Sequence, residues 1–354
     1  MLSFSMIKSS QKMKTVLIVD DSALMRQLLT TIIGSANDLQ VVGVAPDPII
    51  ARKMIKDLNP DVITLDIEMP KMDGIAFLSK IMTLRPMPVV MISSLTQNSA
   101  DVTLRALELG AVDYVGKPTS SLSENLMSMK NDIVEKVRAA ANVTVKKLAL
   151  QDSEIPNLSF STTEQLIAIG ASTGGVQAIT EILSNMPANA PATVIVQHMP
   201  KEFTVGFATR LNTKSKMQVT EARHGARIVP GHVVIAPGDS HLEIKRSGAY
   251  YTCYLSDKDK VSGHRPSVDV LFNSVAKSAG NRAIGVILTG MGKDGAKGLM
   301  NMRRSGACTI GQDEASSTVY GMCGFAYNVG AVEIQKPLKN IPQTILSACL
   351  DENI

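Results

Sequence analysis

The stretch "VLIVDDSALMR", residues 16–26, decides the reading of the fold. Four apolar residues run directly into two carboxylates, Asp20 and Asp21, and then into an amphipathic pattern. An apolar run this short, without polar alternation, reads as a strand buried on both faces, as in a parallel sheet covered by helices. The same unit recurs outward along the chain as "VVGV" (41–44), "VITL" (62–65), "VVMI" (89–92) and "DYV" (113–115). Helical patterns lie near 22–34, 48–58, 74–84 and 98–109, with a fifth at about 122–140. Five βα units predict one complete doubly wound, flavodoxin-like α/β domain over residues 14–137.

Past that domain the periodicity fades. Residues 138–164 are rich in Ser, Thr, Asn and Gln, carry Pro156, and read as a linker. A second series of strands follows at "LIAIG" (166–170), "TVIVQ" (193–197), "VVIA" (233–236), "AIGVIL" (283–288) and "CTI" (308–310). Helical patterns lie at about 175–186, 201–212, 267–279 and 294–304, and "HLEIKRSGAYYTCYL" (241–255) reads as a hairpin turning at Ser247 and Gly248. The second domain, residues 165–350, is therefore expected to be α/β with a mostly parallel sheet and an antiparallel part.

Bulk properties agree with two globular domains in 354 residues. Apolar residues make up 45% and charged residues 19%, and the net charge of +4 comes without a concentrated Lys/Arg run. That balance argues weakly at best for nucleic acid or an anionic membrane surface, and neither nucleic acid nor direct membrane insertion is expected. Cys253, Cys308, Cys323 and Cys349 form no CxxC pair and read as small apolar residues in a reducing compartment. The opening "MLSFSMIKSSQKMK" lacks the apolar core of a signal peptide, so residues 1–13 read as an extension. No stretch approaches the length of a membrane span, and the expected location is the cytoplasm.

Three carboxylates stand where strands end: Asp20 and Asp21 after the first, Asp66 after the third. The carboxyl ends of parallel strands form the functional edge of such a sheet, so the three can converge. Packed closely they repel, unless an oxygen-preferring divalent cation such as Mg2+ neutralises them. A cation beside a carboxylate nucleophile is what phosphoryl transfer to an aspartate requires. Ser93, ending "VVMIS", can donate a hydroxyl to a phosphoryl oxygen, and Lys117 in "VGKP" can pair with its charge. A carboxylate after one strand is often only a helix cap; the whole set is harder to explain that way.

These segments, "VLIVDDSALMR", "TLDIEMPKMDG", "MISS" and "DYVGKP", resemble the receiver domain of two-component response regulators. The resemblance implies that Asp66 accepts a phosphoryl group from a histidine kinase while Asp20 and Asp21 help hold Mg2+. It further implies that Ser93 and Tyr114 form a switch pair and that Lys117 senses the phosphate. Ser93 stands where many members carry Thr, which keeps the hydroxyl.

In the second domain, "LIAIGASTGG" (166–175) runs a strand into a Gly-flanked turn and then a helix. A Ser there presents its hydroxyl at a helix N-terminus, where backbone N–H groups can stabilise an oxyanion. Alone, the pattern also fits a phosphate-binding turn or a plain helix cap. A nucleophilic Ser172 needs a base and an orienter. His198 follows "TVIVQ" on the same edge, whereas His232 precedes its strand and His224, His241 and His264 lie in loop or hairpin contexts. Asp294, in the Gly-rich loop of "AIGVILTGMGKDGAKG", is the first choice for the orienter, and it could also cap the helix from 295. Asp269 and Asp239 are weaker candidates. The order Ser, His, Asp differs from that of ordinary α/β-hydrolases, so a shared geometry need not mean a shared fold.

"GASTGG", "VIVQHMP", "IAPGDSHLE", "HRPSVDVLF" and "LTGMGKDGAKG" resemble the catalytic domain of chemotaxis protein-glutamate methylesterases. Receiver, linker and this domain together match the family's architecture. The resemblance implies hydrolysis of glutamyl methyl esters on methyl-accepting chemotaxis receptors, together with deamidation of receptor glutamines, without a cofactor for the esterase. Carried over by motif, Ser172 is the nucleophile, His198 the general base and acid, and Asp294 its orienter. The backbone N–H groups of Thr173 and Met291 would form the oxyanion hole. A linker of about 20–25 residues would let the receiver fold back over the groove around Ser172. Two rivals are set aside: a phospho-dependent adaptor leaves the triad residues unexplained, and a DNA-binding regulator lacks a helix-turn-helix pattern and a basic recognition helix.

Overall fold

The structure is a computed structural model that describes residues 13–69, 73–94, 96–117, 127, 129–145 and 165–350. Residues 1–12 of the expected extension and residues 146–164 of the expected linker lie outside the described residues. The described chain forms two compact units, each built on its own parallel sheet.

The first sheet holds β1 (Lys14–Val19), β2 (Leu39–Ala45), β3 (Val62–Asp66), β4 (Val89–Ser94) and β5 (Asp113–Lys117) in the order β2-β1-β3-β4-β5, all parallel. This is the flavodoxin-like order expected from the repeated βα pattern. Between the strands in sequence run the helices Ala23–Gly34, Pro48–Leu58, Gly74–Leu84 and Gln97–Glu108, and Lys130–Ala140 follows β5. The start of the expected fifth helix lies largely outside the described residues. Local chemistry sets these boundaries. Ser22 and Asp47 cap the first two helices, with Pro48 at the first helical position after Asp47. Val16, Ile18, Leu29, Ile92 and Val115 are fully buried in the core of this unit.

The second sheet has seven parallel strands in the order β15-β14-β13-β6-β7-β10-β8. They are β6 (Leu166–Ala171), β7 (Ala192–Gln197), β8 (Gln218–Glu221), β10 (His232–Ile235), β13 (Ala283–Ile287), β14 (Cys308–Gln312) and β15 (Ile334–Lys336). The antiparallel part is a separate ribbon of β11 (His241–Ser247), β12 (Tyr250–Ser256) and β9 (Arg227–Ile228). Its turn falls at Gly248 and Ala249, one residue later than the sequence suggested, because Ser247 still pairs with Tyr250. The chain enters at β6 in mid-sheet, builds outward through β7, then returns to β13 on the other side. The strand order thus reverses between β6 and β13, and ligands of open α/β sheets bind outside the carboxyl ends of strands at such a point.

Candidate active site

β6 is buried throughout and ends at Ala171, so the chain must turn at Ser172 before the helix Gly175–Ser184. The turn is tied down on both sides. The Ser172 N–H donates to the Thr289 carbonyl at 3.0 Å, and the Gly175 N–H donates to the Ser172 carbonyl at 2.7 Å. Gly174 takes φ of 79°, a left-handed conformation that a side chain would strain. The loop after β13 passes hard against Ser172: a Cβ on Gly290 would stand 2.8 Å from the Ser172 Cβ. Met291 follows Gly290 in that loop, and Thr173 follows Ser172 in the turn. Thr289 Oγ1 also donates to the Thr173 carbonyl at 2.9 Å, locking the two loops together.

His198 follows β7, and its backbone N–H donates to the Ala171 carbonyl at 3.1 Å, so it is bonded to the residue before Ser172. The imidazole lies with Nε2 at 2.8 Å from Asp294 Oδ2. Nδ1 is buried without a hydrogen-bond partner among the described residues. With Nε2–H donated to the carboxylate, the lone pair sits on Nδ1, the reverse of trypsin-like triads, where Nδ1–H faces the aspartate.

Asp294 is almost fully buried at 1% exposure. Sequence reasoning allowed it to cap the helix that follows it, but that helix, Ala296–Arg304, has Gly295 at its cap. The Asp294 carboxylate instead reaches the N-terminus of another helix, Val268–Ala279. It accepts from Val268 N at 2.7 Å, Asp269 N at 3.2 Å and Ser267 Oγ at 2.8 Å. Burial alone would raise this carboxyl, but the hydrogen bond and charge of His198, with those from Ser267 and Val268, outweigh it and hold the group below its ordinary range. Asp269 serves elsewhere: its carboxylate accepts from Gly298 N at 2.7 Å. Asp239 is largely exposed beside Arg265.

Sequence reasoning missed two contributors. His264, set aside as a loop residue, stacks on His198 with ring centroids 3.7 Å apart and planes within 9°. Gln197, the last residue of β7, donates from Nε2 to the carbonyls of Ser172 (2.9 Å) and His198 (3.2 Å). The signal for Gln197 was its place beside His198 in "VIVQH"; His264 offered none.

The first unit gathers Asp20, Asp21, Asp66, Ser93 and Lys117 at the carboxyl edge of its sheet, while Tyr114 is the second residue of β5. Asp20, Asp21 and Asp66 bring carboxylate oxygens within 4.8 Å of one another, Asp20 and Asp66 buried and Asp21 exposed. Lys117 Nζ lies 3.1 Å from Asp20 Oδ2 and 2.8 Å from Asp66 Oδ2. Burial, then repulsion from Asp20, pushes the Asp66 carboxyl up to about 6 against the pull of Lys117. Burial raises Asp20 as well. Burial would lower Lys117, but the two carboxylates more than offset it. An all-oxygen cluster with buried, mutually repelling carboxylates fits a hard divalent cation. Ser93 is fully buried on β4, and its Oγ donates to the Ser94 carbonyl at 3.2 Å. Tyr114 is buried on β5, with Lys136 Nζ 5.3 Å from its ring centroid. The four cysteines are free thiols. Among the described residues no helix is long and apolar enough to cross a membrane.

Comparison with known proteins gives concordant matches. A family profile described as CheB methylesterase matches residues 167–345, and one described as response regulator receiver domain matches residues 16–129. The chain is 52% identical over 349 residues to the protein-glutamate methylesterase/protein-glutamine glutaminase 1 of Geobacter metallireducens, covering 95% of this chain and 96% of that relative. It is 52% identical over 334 residues to the protein-glutamate methylesterase/protein-glutamine glutaminase of Salmonella typhimurium, covering 94% and 96%. The crystal structure of the Thermotoga maritima CheB methylesterase catalytic domain is similar with a TM-score of 0.51 and 38% identity, over 52% of this chain and 97% of that one.

Proposed function

The chain belongs to the CheB methylesterase family, and we propose that its ester hydrolysis is carried by Ser172, His198 and Asp294, with residues 14–137 as the receiver and 165–350 as the catalytic domain. The reaction is hydrolysis of glutamate methyl esters and deamidation of glutamines, the two activities in its relatives' names. The substrates on this reading are methyl-accepting chemotaxis receptors, and the location is the cytoplasm. The observation that carries the residue assignment is the partly buried His198–Asp294 bond at 2.8 Å, made by residues that follow the two strands flanking β6.

The steps follow from that pairing. Ser172 Oγ attacks the ester carbonyl carbon as His198 Nδ1 takes its proton, and Asp294 stabilises the imidazolium through Nε2. The oxyanion is held by the N–H groups of Thr173 and Met291. Collapse breaks the bond to the methoxy oxygen, which leaves as methanol with the proton from His198. Water, deprotonated by His198, then attacks the acyl-serine; collapse breaks the bond to Ser172 Oγ, which takes the proton back from His198, and releases the glutamate product. Deamidation replaces methanol with ammonia at the same step. No cofactor enters these steps.

The receiver controls this activity through phosphorylation. Asp66 is the acceptor, a histidine kinase the donor, and Ser93, Tyr114 and Lys117 carry the response. Asp20, Asp21 and Asp66 would hold Mg2+, which supplies charge neutralisation during phosphoryl transfer. Lys117 already bridges the two buried carboxylates and stands ready to pair with the incoming phosphoryl oxygens. The deciding experiment labels the full chain with a fluorophosphonate and measures methanol release from methylated receptor. Wild type should label and turn over, and Ser172→Ala should do neither while folding normally. Turnover near wild type in Ser172→Ala would overturn the assignment.

A further inference from the structure

We propose that Ser267 is a positioning residue of the hydrolytic site, fixing the Asp294 carboxylate for His198, and that His241 acts through it. The inference rests on the Ser172, His198 and Asp294 reading given above.

A carboxylate orients an imidazole only if its own rotation is arrested. Asp294 Oδ2 is shared by His198 Nε2 and Val268 N, at 2.8 and 2.7 Å. Rotation is set by the other oxygen. Oδ1 takes the Ser267 hydroxyl at 2.8 Å and the longer bond from Asp269 N at 3.2 Å. Without the hydroxyl, that longer bond alone would restrain Oδ1. The direction of the Ser267 proton is also determined. Ser267 Oγ accepts from Val270 N at 3.4 Å, so its single proton is left for Asp294.

Ser267 is itself held from behind. It is fully buried, and its N–H donates to His241 Nδ1 at 3.2 Å. His241 is also fully buried, with Nε2 3.0 Å from the Asp259 carbonyl. A ring nitrogen that accepts from a main-chain N–H carries no proton, so the proton lies on Nε2 and His241 is neutral. His241 thus links the Asp259 carbonyl to the residue that holds the triad carboxylate, and takes no part in the proton transfer.

Ser267 is also the N-cap of the helix Val268–Ala279, so a purely structural role must be separated from a positioning one. Glycine at an N-cap costs a helix little relative to serine but removes the hydroxyl. In the full chain acting on methylated receptor, Ser267→Gly should lower kcat about 10- to 100-fold with KM within about twofold, the effect of losing one hydrogen bond to a charged group. Its melting temperature should stay close to wild type, and Ser267→Thr should restore most of kcat. His241→Asn, too short to span both contacts, should slow the wild type but add little to Ser267→Gly, since effects through a shared partner are not additive. Wild-type kcat in Ser267→Gly, or a folded Ser267→Thr as slow as the glycine variant, overturns the role of Ser267. Full additivity with His241→Asn overturns the link between them. Wild type measured alongside keeps the two readings apart: no turnover by wild type would overturn the triad reading itself.

Discussion

Asp294→Asn tests the site most sharply, because the structure gives the carboxylate four donors and no acceptor to face: His198 Nε2, Val268 N, Asp269 N and Ser267 Oγ. An amide offers one acceptor oxygen and one NH2, so whichever way it turns, the NH2 meets donors. If it faces His198, it can only donate to Nε2, which forces the ring proton onto Nδ1 and removes the base from the side where Ser172 needs it. If it faces Ser267, it opposes the Asp269 N–H and forces the hydroxyl proton away. The first outcome predicts a loss of about 10^4 in kcat, or about 5.5 kcal/mol of transition-state stabilisation. Stability should also fall, by about 1–3 kcal/mol for a buried N–H left without its acceptor. The assay is initial-rate methanol release with a thermal melt on the same preparation. A loss below about tenfold, with a far larger one in Asp269→Asn, would show that the orienting carboxylate is misassigned.

Gly290→Ala should cost most of the activity, because its Cβ would fall 2.8 Å from the Ser172 Cβ and collide with Met322 Sδ; unchanged kcat would contradict that packing. Asp66→Asn should hold the full chain at its basal rate whatever phosphoryl donor is added, whereas a fragment beginning near residue 155 should exceed that rate if the receiver inhibits. A fragment no faster than the unphosphorylated chain would exclude inhibition by the receiver. Mg2+ should bind the receiver more weakly as pH falls through about 6, since protons compete at Asp66; titration calorimetry showing a pH-independent affinity from 5 to 8 would contradict this.

The strands carrying the sites were legible because most are short apolar runs, and the predicted site residues sit at the end of one or in the loop just after it, apart from Tyr114, the second residue of β5. Ser172, His198 and Asp294 follow β6, β7 and β13 for that reason. The less legible pieces lack that contrast. β8, at the sheet's edge, reads "QVTE" with one buried residue, and β9 is two residues long, so neither stands out from loop. The helices Met322–Asn328 and Ile341–Leu350 were not foreseen, the first being only seven residues long. His264 reaches the site because residues 261–264 close a tight turn, with Ser262 and Gly263 both at positive φ and paired bonds between Val261 and His264. No periodicity encodes such a turn, and its ring contact with His198 is purely tertiary.

The two sheet edges use carboxylates in opposite ways, and pH separates them. Asp66 is raised from 3.8 to about 6, so between those values the folded receiver binds more protons than the unfolded chain, and its stability falls as pH rises. That cost is part of what makes the cluster receptive: a cation that relieves the crowding binds with the folded state and against the unfolded one. Asp294 is lowered instead, so its contribution is complete above the ordinary carboxylate range and is lost only as pH falls through the folded value. On the assignments proposed above, the carboxylate that holds an imidazolium is surrounded by donors, and the one that accepts a phosphoryl group is crowded with its own kind and a lysine. The same strand-end position supports either task, and the neighbours alone decide which.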